Sequence, residues 1–162
     1  MTATHPEATI TAHPTLPKIT ITRDFAATPA QLVKAHLDPE LFVRWIGPDR
    51  LTTRLELWEP RRGGGYRYVQ TDTDGSEYAF FGSFHDVGET RLVQTFTFEG
   101  YPDGVSLDTM VLEDLGDGRT RMHITSLVDS IEGRDMMLAS GMESGVNEGY
   151  GKLDRLLAEG VL

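Results

Sequence analysis

The sequence predicts an α+β fold, with one antiparallel sheet and its helices kept apart from it. Three observations lead there. Segments of alternating apolar and polar residues recur along the chain, seven in all. The last six follow one another with only short turn signals between them. The final thirty residues switch to helical spacing. Consecutive strands joined by short turns pair antiparallel, and helices that lie outside the run of strands form a second layer.

The elements follow in order. Residues 18–26 (KITITRDFA) alternate Ile19 and Ile21 among β-branched neighbours and read as a strand. Thr28-Pro29 then supplies a helix cap and a first-turn proline, which starts a helix over 29–37 with Leu32, Val33 and Leu37 inward. Asp38-Pro39 restarts a second short helix that runs to about Trp45, and Gly47-Pro48 stops it. Strands are predicted at 51–59, 65–73, 77–87, 91–99, 105–113 and 119–128. The turns between them are marked by Arg61–Gly65, Asp74-Gly75, Gly88-Glu89, YPDG at 101–104 and LGDG at 115–118. A seven-stranded sheet twists and curls, so its concave side is the natural seat for an amphipathic helix.

That helix is predicted over residues 134–159. Leu138, Met142, Val146, Leu153, Leu156 and Leu157 form its apolar stripe. Beside the stripe, Met137, Gly141, Gly145, Gly149 and Leu153 recur every four residues and share one face. Interior glycines cost a helix about 1 kcal/mol each, so with Gly151 the row costs about 3–4 kcal/mol. Two returns offset such a cost: close approach of a neighbouring layer, or room for a ligand between helix and sheet.

The 162 residues suffice for one domain that buries about two-thirds of its unfolded surface. We expect a single domain over 18–160, preceded by a flexible Thr-, Ala- and Pro-rich tail over 1–17. The tail has neither the basic start nor the apolar run of a secretory signal. No apolar run is long enough to span a membrane. The chain has no cysteine, which excludes disulfides and thiolate chemistry and fits a cytoplasmic location. The net charge is −10, most of it carried beyond residue 60, so nucleic acid is not expected as a partner.

Catalytic and metal signals are weak. His5 and His13 lie in the predicted tail, and His36 sits late in a short helix, where the dipole favours its charged form. His85 and His123 lie in strands without a second ligand at metal spacing. His123 shares its alternate set with Arg119 and Arg121, which points it to solvent. Asp72, Asp74, Asp103, Asp114 and Asp117 are turn formers. On the last helix, Glu148 lies at the edge of the glycine row with Glu143 and Asn147 nearby, either as a polar anchor or as a solvated flank. RRGGG at 61–65 lacks the Lys-Ser/Thr of a phosphate loop and reads as a turn. No catalytic residue, metal site or cofactor is therefore expected. Aromatics are the richer signal. Tyr66 and Tyr68, Phe80 and Phe84 (with Gly82 between), and Phe96 and Phe98 each share one face of a strand. Such faces line either a core or an apolar pocket.

Five segments in order also resemble a known family: DFAATPAQLVKAHLDPELFVRWIGP, RRGGGYRYV, FFGSFHDVGETRLVQTFTFEG, DGRTRMHITS and GMESGVNEGYGKLDRLLAE. The chain resembles the SRPBCC, or START-like, superfamily, and within it the group named for the activator of the heat-shock-protein-90 ATPase. Trp45-Ile46 stands where many relatives carry two tryptophans, and Gly149-Tyr150 where many carry Gly-Trp. The resemblance implies a helix-grip fold, a curved seven-stranded sheet gripping the long C-terminal helix, with a hydrophobic pocket between them. It also allows a homodimer. The expected partner is a small hydrophobic molecule. Its expected lining is Trp45, Tyr68, Phe80, Phe96 and Met122 from the sheet side, with Met137, Gly141 and Ser144 from the helix. Two alternatives remain: an enzyme of the cyclase or hydrolase type using that pocket, with an inward His85, His123 or Glu148, or a partner module regulating a chaperone ATPase.

Overall fold

A computed structural model describes residues 7–162. His5 and the rest of the first six residues lie outside them. The element order is β1 (Thr9–Ala12), β2 (Lys18–Phe25), α1 (Pro29–Leu37), α2 (Pro39–Trp45), β3 (Thr52–Trp58), β4 (Gly65–Thr71), β5 (Glu77–Val87), β6 (Arg91–Phe98), β7 (Ser106–Gly116), β8 (Arg119–Leu127), α3 (Ile131–Ala139) and α4 (Met142–Glu159). The strands form one antiparallel sheet in the order β1-β2-β8-β7-β6-β5-β4-β3.

Local chemistry sets the helix starts. Thr28 and Gln31 form a reciprocal cap on α1, with Gln31 N–H donating to Thr28 Oγ1 at 3.2 Å and Thr28 N–H to Gln31 Oε1 at 2.8 Å. Asp38 ends α1 and caps α2, its Oδ1 accepting from the N–H groups of Glu40 and Leu41. The two tryptophans are held by the end of the first helix. Trp45 Nε1 donates to Ala35 O at 2.9 Å and Trp58 Nε1 to Leu37 O at 2.8 Å.

Two features differ from the sequence-based expectation. The sheet has eight strands rather than seven, because Thr9–Ala12 in the expected tail pairs with Ile19–Thr22. Four residues with one strong apolar side chain, Ile10, fall below the length at which alternation stands out. The long terminal helix is two helices. Ser140 ends α3, and Gly141, in the left-handed conformation at φ 85°, begins α4. The periodic pattern runs through the break and conceals it.

The glycine row therefore does several jobs. Gly141 makes the bend. A Cβ on Gly149 would lie 3.1 Å from Trp45 O and 3.3 Å from Gly47 N, so the helix rides directly on the backbone that follows α2. A Cβ on Gly145 would meet Pro48 at 3.6 Å. The close neighbour is the loop after α2 rather than a sheet, and the space beneath these glycines is filled.

The sheet's inner face is unevenly closed. At one end Phe25, Thr120, Met122, Leu112, Met110, Leu92 and Phe84 are all buried. On the same face Ile124, beside Met110, is half-buried, as are Gln94, Phe96 and Phe80 further along, while Ile19, Ser106 and Ser126 are buried. The helices follow the same gradient. Tyr150, Leu153 and Leu156 are buried, Met142 and Val146 are half-buried, and α3 has no buried residue.

The close approach at Gly149 yields a contrast between two glycines on one helix. Gly149→Ala should destabilise the protein by about 1–2 kcal/mol despite better helix propensity, because backbone on both helices must move. Gly151→Ala, whose Cβ would meet nothing within 4 Å, should stabilise it by up to about 1 kcal/mol. Urea denaturation of the two variants measures both signs.

Candidate functional site

The half-buried part of the inner face brings apolar and polar side chains together. Phe80 and Phe96 stack there with ring centroids 5.3 Å apart, and Ile124, Met137, Leu138, Met142 and Val146 are half-buried apolar residues packed against the core. Its floor is polar. Asp108 points inward from β7, in register with Gln94 on β6 and Ser126 on β8. Ser126 Oγ donates to Asp108 Oδ1 at 2.7 Å. Burial pushes the Asp108 carboxyl above its ordinary pKa, and the hydroxyls of Ser126 and Ser106 offset that only in part. Asp108 keeps partial solvent access although protein atoms crowd it on nearly every side.

Three tyrosines belong to the same neighbourhood. Burial raises the pKa of Tyr66, Tyr68 and Tyr150, and the Asp108 charge adds to each shift. All three phenols stay protonated at any physiological pH. The Tyr66 hydroxyl donates to Thr95 O at 2.5 Å, directly over Gly82. The space above Gly82 is occupied by Tyr66, and a Cβ there would strike both the hydroxyl and the Thr95 carbonyl.

The inner face also carries Arg23, clamped in two hydrogen bonds to Asp154 of α4 at 2.9 and 2.6 Å. Its guanidinium lies 4.6 Å over the Phe25 ring. Its Nε is buried without a partner. This pair clips the second half of α4 to β2. A buried pair of this kind loses most when one member is removed.

The residues expected to line the pocket fall in three places. Trp45, Tyr68 and Met122 are in the solid core. Phe80, Phe96 and Met137 are half-buried at its open margin. Gly141 and Ser144 are exposed, beside a broad surface depression of about 510 Å³ that also borders Leu138, Asn147 and Glu148. A second depression of about 220 Å³ lies by Ala26, Asp154, Leu157 and Ala158. Neither depression is lined by the aromatic strands.

The residues considered for catalysis point elsewhere. His85 is exposed, and His123 reaches out to Glu113 at 3.0 Å. Glu148 accepts the Asp49 N–H at 2.8 Å and so ties the loop after α2 to α4. His36 does not profit from the helix dipole. It packs against Trp45, with Nδ1 2.7 Å from Leu32 O, and burial lowers its pKa. Among the described residues no group of acidic and histidine side chains is arranged to hold a metal ion, and no helix is long and apolar enough to cross a membrane. Asp108 was the residue the sequence reading missed. Its parity with Met110 and Leu112 on one strand was the available signal, since a carboxylate in phase with buried apolar residues must face inward.

Comparison with known proteins fits this architecture. The model of the family described as "Activator of Hsp90 ATPase homolog 1-like protein" matches residues 26–158. The chain belongs to that family. It is similar to a protein of known crystal structure from Rhodobacter sphaeroides, at 28% identity and a TM-score of 0.85, over 95% of this chain and 99% of that one. A protein from Arthrobacter aurescens, solved by NMR, is also 28% identical, with a TM-score of 0.84 over 93% and 91% of the two chains. A Mycobacterium smegmatis protein shares the fold at 24% identity and a TM-score of 0.83, over 94% and 97%. Comparison with curated protein sequences finds no match. The helix-grip architecture of a curved antiparallel sheet and C-terminal helix is thereby established, with eight strands.

Two measurements test the electrostatics. Asp154→Ala should cost about 3–5 kcal/mol in urea unfolding, because it strands the Arg23 charge in the core. The pair replacement Arg23→Met with Asp154→Leu should recover most of that loss. His36 is held neutral by the fold, so the unfolded chain takes up its proton first. Its contribution is therefore present above about pH 6.5, the unfolded His value, and is lost as pH falls towards the lower folded value. His36→Gln should flatten the stability slope between pH 7 and pH 5.5, in a window separate from the carboxylates Asp24, Asp72 and Asp86, whose pKa values are lowered from 3.8.

Proposed function

We propose that this protein is a binding module for a small, largely hydrophobic molecule, taken up at the half-closed end of the sheet beneath α3 and the first turns of α4. The observation that carries this reading is the burial gradient. One end of the inner face is packed to completion, whereas Phe80, Phe96 and Ile124 at the other remain half-buried under helix segments that have apolar residues to offer but do not close over them. Apolar surface left open in the middle of a fold favours a guest, at about 25 cal/mol per Å² removed from water. The rim supplies aromatic and methionine side chains, which suit irregular guests.

The site is displaced from the place the glycine row first suggested. Gly145 and Gly149 are covered by Pro48 and by the backbone of residues 45–47, so the guest lies on the side of Met142 and Val146. The family's description names an activator of an ATPase, and a partner role of that kind needs unmet charge or a broad apolar patch outside. On the outer face several charges are paired, Arg67 with Glu56 and Glu99, Arg54 with Glu77, Arg121 with Asp24, while Phe81, Leu107, Val111 and Leu127 stand exposed. Ligand capture is the role that the half-buried inner-face residues support.

The reading is tested by filling the gap. Ile124→Phe should leave the melting temperature unchanged or raise it, because open space accepts the larger ring. It should also abolish the chemical-shift changes that apolar compounds produce at the Met137, Met142 and Val146 methyls. If Ile124→Phe instead costs the 1–3 kcal/mol of an overpacked core, or if those methyls ignore a broad panel of apolar compounds, no such site exists.

A further inference from the structure

Asp108 is an unusual floor for an apolar cleft. The inner face has two acids. Asp154 is answered by Arg23, while Asp108 is met by hydroxyls alone: Ser126 Oγ at 2.7 Å, with Ser106 beside it. Arg23 is committed to Asp154 and stacked over Phe25. On the same face of the sheet Asp108 is in register with Gln94 on β6 and Ser126 on β8, and its charge is felt by the buried phenols of Tyr66, Tyr68 and Tyr150. Their rings are electron-rich and their phenols carry no charge. An anion-accepting or purely apolar site would not be built this way. A carboxylate without a cation, met by serine hydroxyls and set on one face with half-buried aromatic residues, has the composition of a site for a positively charged group.

We propose that Asp108 is the recognition group of the cleft and that the ligand is an amphipathic amine, its ammonium hydrogen-bonded to Asp108, its hydrocarbon part leaving past Phe80, Phe96 and Ile124. This rests on the cleft being the binding site. The ammonium supplies the counter-charge that the fold withholds, and it holds the carboxyl ionised where burial alone opposes ionisation. The partnership also excludes fatty acids, since a second carboxylate would face the first. An amine of this class fits a protein whose own net charge is −10.

Three probes with one chain length separate the terms: n-octylamine, 1-octanol and octanoate, titrated by NMR at pH 8 and at pH 5. At pH 8 octylamine should bind about tenfold or more tightly than octanol, as expected for a charge-assisted contact in a dry site, and octanoate should bind weakest. As pH falls the amine-to-alcohol ratio should shrink, because protonation of Asp108, whose pKa burial raises, removes the charge that the ammonium meets. The three phenols, whose pKa values burial raises, keep their charge state over that range, and His36 packs away from the cleft against Trp45. In Asp108→Asn the ratio should fall to about one while octanol binding persists. Because the variant removes a buried acid without a cation, it should fold at least as stably as the parent at pH 8; should it not fold, the pH 8 to pH 5 change in the ratio for the unaltered protein decides. Octanoate matching octylamine, or a ratio that neither pH nor Asp108→Asn alters, overturns the assignment of the amine. Failure of all three probes to perturb the Met142 and Val146 methyls overturns the cleft itself, so the two failures are distinguishable.

Discussion

The structure depends on how firmly one half of a helix is fixed. An eight-stranded sheet presents more concave surface than a single helix of eighteen residues covers, and α4 is committed at one end. Gly149 seats it on the backbone after α2, Arg23 and Asp154 clip it to β2, and Tyr150 meets Phe25 edge-on at 5.3 Å. With that half anchored, the other half cannot also lie over the far end of the sheet. The bend at Gly141 hands the remaining cover to α3, a short helix with no buried residue. The open end follows from this geometry rather than from any lack of apolar side chains.

That constraint also explains why α3 is held where it is. Arg134, nearly buried, donates to the carbonyls of His13 at 2.6 Å and Leu16 at 3.0 Å. Asn147 accepts the Ala8 N–H at 2.9 Å. The segment around β1 therefore acts as a strut beneath both terminal helices. A helix tied at one side by hydrogen bonds and little by apolar burial opens at low cost, which is the property a cover over a binding site needs.

Much of this was legible in the sequence. The bounds of α1 and α2 followed from Thr28-Pro29 and Asp38-Pro39, because caps and first-turn prolines act locally. Six consecutive strands followed from alternation and turn residues for the same reason. What was not legible depends on tertiary neighbours. The row Gly141, Gly145, Gly149 looks like one stripe because spacing alone cannot tell a left-handed bend from a close contact. The aromatic residues announced themselves, but Trp45, Tyr68 and Met122 belong to the solid end and Phe80 and Phe96 to the open one, a division that depends on where the helices come to rest. Asp108 was passed over as one carboxylate among many in an acidic chain.

The position of Asp108 is what gives the open end meaning. Two acids face the interior, and the fold treats them oppositely. Asp154 receives an arginine, stacked aromatic cover and two short hydrogen bonds; Asp108 receives two serines. A buried carboxyl without a counter-charge lowers stability at neutral pH, and an asparagine or leucine there would be easier to accommodate. Such a cost persists in a fold where activity requires it, since sites poised for a partner are destabilised until the partner arrives. The incomplete burial of the surrounding apolar residues is a second cost at the same end of the same face. Both are relieved by one kind of guest: a molecule with hydrocarbon to cover Phe96 and Ile124 and a positive group to meet Asp108. That two independent imperfections have a single chemical remedy is the strongest argument that they belong to one site.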